Sequence, residues 1–150
     1  MHFGTKGRQN VRDLLLQYPD VVAWVNGHEH KNRVSSYVRR RGHTGFCDVN
    51  TASHTDFPEQ SRLIEIMDNR DGTLSLFGTI LDTAAPIQAP APGPAGAFDV
   101  SQLASISLLI SANDYQGKAP GASPFVSGTG TRTDRNVELL IRDPRRLRGR

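Results

Sequence analysis

The sequence predicts an α/β domain whose first half is rich in strands. Three observations carry that expectation. A short helical pattern runs straight into an apolar, β-rich segment; a clear hairpin lies in the middle; a second helical pattern precedes a final strand.

Taken in order, "RQNVRDLLLQYPD" places Val11, Leu14, Leu15 and Tyr18 on one helical face, and Pro19 ends the pattern. "VVAWV" (Val21 to Val25) is short and apolar on both faces, as expected of a buried strand in an α/β sheet, and Asn26-Gly27 breaks it. In "NRVSSYVRRRG", Val34, Ser36 and Val38 alternate with Arg33, Ser35 and Tyr37, which predicts a strand. "GFCDVNTA" is a further short strand, and "SHTDFPEQ" a polar loop. Leu63–Met67 and Leu74–Phe77 flank "DNRDGT", whose Asp71-Gly72 suits a tight hairpin turn.

The Pro/Ala/Gly-rich residues 86–97 cannot form a helix or a central strand and read as a linker or surface loop. A helix is expected near 99–113, followed by the turn-rich, mobile "YQGKAPGASPFVSGTGTRTD" and a last strand in "RNVELLI". The predicted organisation is therefore 1–85, a linker at 86–97, a helix, loop and strand completing the same domain at 98–141, and a basic tail at 142–150.

Composition narrows the function classes. With 37% apolar and 22% charged residues the chain reads as globular, and no apolar run approaches the roughly 20 residues that span a bilayer. Cys47 is the single cysteine, which excludes an internal disulfide and any multi-cysteine zinc site. Arg142 to Arg150 carry +4, so the rest of the chain sums to −1. Such a tail can touch nucleic acid through phosphate attraction, but with few aromatics and no reading helix it is more simply a solvated, disordered end. The opening "MHFGTKGRQN" lacks a secretory apolar region, which makes a cytoplasmic location the default expectation.

The chemistry concentrates in Gly27-His28-Glu29-His30. A strand that stops at a Gly-containing loop is where α/β proteins place ligand chemistry, and neutral imidazole binds zinc, manganese and iron. A zincin helix needs a second histidine where Asn32 stands, and a nucleobase deaminase needs two downstream cysteines, so both are excluded. From spacing alone, two exposed histidines in a turn explain the segment more simply than a metal site does.

"VNGHEHKNRV" nevertheless resembles the last conserved block, G-H-x-H, of the calcineurin-like metallophosphoesterases. Together with "YPDVVAWVNGHEHKNRV", "VNTASHTDFPEQSRLIEIMDNRDGTLSLFGTILD" and "RNVELL", the likeness extends to the C-terminal portion of an actinobacterial-type branch, covering Leu14 to Pro86 well. It implies a partial metallophosphoesterase sandwich of two mixed sheets and a dinuclear centre of divalent metal ions (Mn, Fe or Zn). His28 would bind one ion and His30 the other, to hydrolyse a phosphate ester through metal-activated water. Asn26 would steady the turn or be a simple turn residue, Glu29 would occupy the variable position and face solvent, and Asn50 and His54 would contact substrate, support the ligands or be hydrogen-bonded structural residues. Ser53 shares those alternatives. Arg39-Arg40-Arg41 could draw in an anion, though a charged loop is the simpler reading.

The family's earlier motifs, D-x-H, G-D-x-x-D and G-N-H-[DE], do not occur in the sequence. His2 in "MHFGTKG" does not match the family's separate upstream histidine, and His43 in the polar turn "RRRGHTG" reads as solvated. The expectation is therefore a chain contributing only the final metal motif: a truncated or split form whose missing ligands come from an N-terminal half or from self-association. Its strand "VVAWV" would lack the neighbours that normally bury it. The alternative is a catalytically incomplete fragment or partner-binding module with no activity of its own.

Overall fold

Asn10 starts the first helix, α1 (Val11–Leu15), by accepting a hydrogen bond from the Asp13 backbone N–H at 2.8 Å. The computed structural model describes residues 10–39, 44–114 and 128–147. Strands β1 (Ala23–Asn26), β2 (Arg33–Val38) and β3 (Gly45–Asn50) form one sheet in the order β1-β3-β2. In it β1 runs parallel to β3, and β2 antiparallel. Strands β4 (Ser61–Asp68), β5 (Thr73–Leu81) and β6 (Val137–Arg142) form a second, antiparallel sheet in the order β4-β5-β6. With helices α2 (Val100–Asp114) and α3 (Pro144–Leu147), the protein is a mixed α/β chain of two small sheets and few helices.

The period of two along each strand decides which residues meet. Cys47 and Val49 of β3 join Leu76 of β5 and Ile141 of β6 in one buried cluster, with Val22, Ala23, Val34, Ile64 and Leu139 packed against it. Burying each large aliphatic side chain here contributes about 1.5–3 kcal/mol. The opposite face of β3 carries Phe46, Asp48 and Asn50, all almost fully buried. That polar pair on an otherwise apolar strand matters below.

The hairpin forms at its predicted turn. Gly72 takes φ +97°, and the Asp71 carboxylate accepts from the Thr73 N–H at 2.9 Å and the Thr73 hydroxyl at 2.6 Å. Helix α2 also starts where expected: Asp99 and Gln102 exchange two 2.8 Å side-chain-to-backbone bonds, a reciprocal cap. Gln102 reaches back to the Ala91 carbonyl at 2.7 Å, tying residues 86–97 to the helix they precede.

Two expectations are corrected. The "VVAWV" strand is not buried: β1 is an edge strand that pairs with β3 alone among the described residues, and Val25 is 47% exposed. The start of the basic tail is ordered rather than loose. Arg142 belongs to β6, and Pro144 opens α3, where its missing N–H costs nothing. Buried Asp143 accepts from the Arg145 backbone and guanidinium at 2.9 Å, while Arg145 also meets Asp68 at 2.9 Å. Of the mobile loop expected at 115–134, residues 115–127 lie outside the described residues, as do the tail residues 148–150, His2, Arg40, Arg41 and His43, while 128–134 hold a turn and a short 3-10 helix, Arg132–Asp134, capped by Thr131. No helix among the described residues is long and apolar enough to cross a membrane.

Candidate metal centre

Parallel pairing puts the ends of β1 and β3 side by side, with Asn26 and Asn50 as direct register partners. The loops that follow them therefore leave the same sheet edge, one carrying His28 and His30, the other His54. Residues 24 to 28 positions apart in sequence become neighbours through that one ladder. Thr51 fastens the junction, its N–H donating to the Asn26 carbonyl at 2.7 Å and its hydroxyl at 3.3 Å. A Cβ on Gly27 would lie 3.2 Å from the Thr51 hydroxyl, so the turn starts in close contact with the neighbouring strand.

The turn closes through the His30 N–H, which donates to the Gly27 carbonyl at 3.2 Å, and His30 adopts a left-handed φ of 51°. Its ring Nδ1 meets the Asp56 carboxylate in a short contact, and both side chains are about half exposed. His28 is exposed, and its ring makes no hydrogen bond among the described residues. Glu29 is held by Arg33 at 2.9 Å and Lys31 at 3.0 Å. It is engaged in ion pairs rather than facing bulk solvent as expected.

Beneath the turn, the Asn26 amide donates to Asp48 at 2.6 Å, and the Arg33 guanidinium lies 4.0 Å from the same carboxylate. Burial pushes the Asp48 carboxyl up, opposed by the Asn26 bond and the Arg33 charge. A folded-state pKa raised above the unfolded value means that ionised Asp48 opposes folding at neutral pH. That penalty fades as pH falls and Asp48 takes up its proton. Asp48→Asn keeps an acceptor for Asn26 and is expected to raise the urea midpoint at about pH 7, with the gap to wild type closing near pH 4. Equal gaps at both pH values would show that the charge is not the cause. Asn50, 1% exposed, has a side-chain carbonyl oxygen with no hydrogen-bond partner.

His54 bonds through Nε2 to the Ser61 hydroxyl at 2.8 Å, and Ser53 to the Thr55 hydroxyl at 2.9 Å. These contacts shape the loop and give neither residue a ligand role. The anion-attracting reading of Arg39 is corrected. Its guanidinium donates to the carbonyls of Leu16 at 2.8 Å, Gly45 at 3.2 Å and Val21 at 3.4 Å, and to Tyr18 as well, so it caps the chain after α1. Asp56 was not singled out by its sequence, nor was Asn32, which lies buried just after the histidine turn. The readable signal was a carboxylate two residues beyond His54, in the loop that had to run beside His28 and His30.

The donors described do not make a complete metal centre. Imidazole backed by a carboxylate is good ligand chemistry, but no group of three or more His, Cys, Asp or Glu converges among the described residues. Comparison with protein-family models, with curated proteins and with solved structures finds no match to this chain.

Proposed function

We propose that this chain is a metallophosphoesterase-type component that supplies His28 and His30 to a divalent-metal centre and does not hydrolyse phosphate esters alone. The carrying observation is the register pair Asn26–Asn50, which sends the loops of His28, His30 and His54 out from one edge of a parallel strand pair. The G-H-x-H resemblance gives that edge its chemistry. In a completed centre, the metal would polarise a phosphoryl oxygen and activate water. This chain's share is to hold the two imidazoles on a turn braced by Asn26, Asp48 and Thr51. The remaining ligands would come from another chain or another copy of this one.

The test is Zn²⁺ content after loading and removal of free ion, in wild type, His28→Ala and His30→Ala, with phosphomonoester and phosphodiester assays on each. With copies of the chain supplying each other's remaining ligands, retained zinc lost in both variants, without turnover by the wild-type chain, is the expected result. Zinc retained equally by all three would remove the histidines from the proposal. Turnover by the chain alone would overturn its incompleteness.

A second reading, a partner-binding module without activity, has its own observation. On the face of the second sheet opposite Leu76, Leu63, Met67 and Leu140 are 47%, 55% and 69% exposed. Such a face invites a partner. Failure to retain zinc would favour this reading.

A further inference from the structure

The His30–Asp56 contact is placed with more care than a surface ion pair requires. His30 sits in a left-handed backbone conformation that disfavours residues with a Cβ, at a cost of order 1–3 kcal/mol. Asp56 comes from a loop pinned on both sides. Upstream, the Ala52 N–H donates to buried Asn32 at 3.2 Å. Downstream, the Glu59 N–H donates to the Asp56 carbonyl at 2.8 Å and the Gln60 N–H to the Ser53 carbonyl at 3.1 Å. Phe57, next in sequence, is 3% exposed, and a Cβ on Gly128 would lie 2.5 Å from its carbonyl oxygen. The carboxylate therefore meets the imidazole from a fixed base.

We infer that Asp56 is a positioning residue that fixes a proton of the His30 ring on Nδ1, so that in the neutral ring Nε2 is left as the electron-pair donor. A carboxylate accepts only, so the nitrogen facing it must carry the hydrogen. In the neutral ring the other nitrogen then keeps its lone pair, as in carboxylate–histidine–metal arrangements. The His30 side chain is about half exposed, so the ring is open to solvent. The role toward a metal rests on the function proposed above; the assignment of the proton does not.

The two are tested separately. Long-range ¹H–¹⁵N correlation spectra of the metal-free chain at about pH 8, above the ordinary titration range of histidine, report the tautomer of each ring. The His30 ring is expected as Nδ1–H in wild type and in Asp56→Glu, and to lose that preference in Asp56→Ala. His54, bonded through its other nitrogen to Ser61, serves as an internal reference. An Nε2–H ring at His30 in wild type, or an unchanged ring in Asp56→Ala, would overturn the inference. Zn²⁺ titration then reads the consequence, with Asp56→Ala weakening binding about 10–100-fold and Asp56→Glu restoring part of it. A Zn²⁺ affinity unmoved by Asp56→Ala but abolished by His30→Ala would remove Asp56 alone from the metal site. An affinity unmoved by His30→Ala would instead remove the proposed function and leave the tautomer result intact.

Discussion

Asn32→Ala is expected to lower stability by about 3 kcal/mol, because it unmakes the joint between the two sheets. The Asn32 amide donates to Gln60 at 2.6 Å and to the Thr129 carbonyl at 3.4 Å. Its oxygen accepts from the Ala52 N–H at 3.2 Å and the Arg62 guanidinium at 3.1 Å. Arg62 lies on β4, so this one side chain links the histidine turn, the Asp56 loop and the second sheet. Alanine would strand several buried polar groups at once, and Arg62 already has a buried Nε without a partner. Urea unfolding followed by fluorescence gives the measurement, with the midpoint falling and the slope unchanged. A loss below about 1 kcal/mol would mean that water replaces these bonds readily.

Gly45→Ala is the second large effect and has a steric cause. A Cβ there would lie 1.9 Å from the Tyr37 carbonyl oxygen and 3.1 Å from the Val38 Cα, both backbone atoms that cannot rotate away. Gly45 is the register partner of Val38, so the β2–β3 ladder would have to part at that end. The expected loss is about 3 kcal/mol, with much of the protein insoluble. Gly72→Ala is the informative contrast. It has nothing within 4 Å of an added Cβ and only its φ of +97° to object, so about 1 kcal/mol is expected. Comparable losses in the two variants would show that the β2–β3 backbone yields easily.

The parts of this fold legible in the sequence are those specified within a few residues. Asp71-Gly72 announces its turn because the aspartate bonds Thr73 two residues on, and Asp99 announces α2 because its capping partner is three residues away. The position of the histidine turn was legible for the same reason: an apolar run ends at Asn26-Gly27. What stayed hidden was relational. Asn32 finds Gln60 and Arg62 only once two sheets have packed, and Asp56 finds His30 only because β1 and β3 run parallel. The apolar run "VVAWV" alone reads as buried, since it does not state how many neighbours it has; its lack of neighbours could be expected only from the motifs missing from the sequence. The candidate site was therefore half readable: its imidazoles came from a motif, its carboxylate from topology.

Cys47 gives the shared core a further property. The thiol is 7% exposed, lies on the face of β3 that meets the second sheet, and burial pushes its pKa up. A thiol-specific reagent can reach it only when the sheets separate, and no other cysteine competes for label. Its modification rate in native buffer thus measures the free energy of that opening, as amide exchange does for a backbone. The protein carries a built-in gauge of its own breathing, set between the two layers that hold it together.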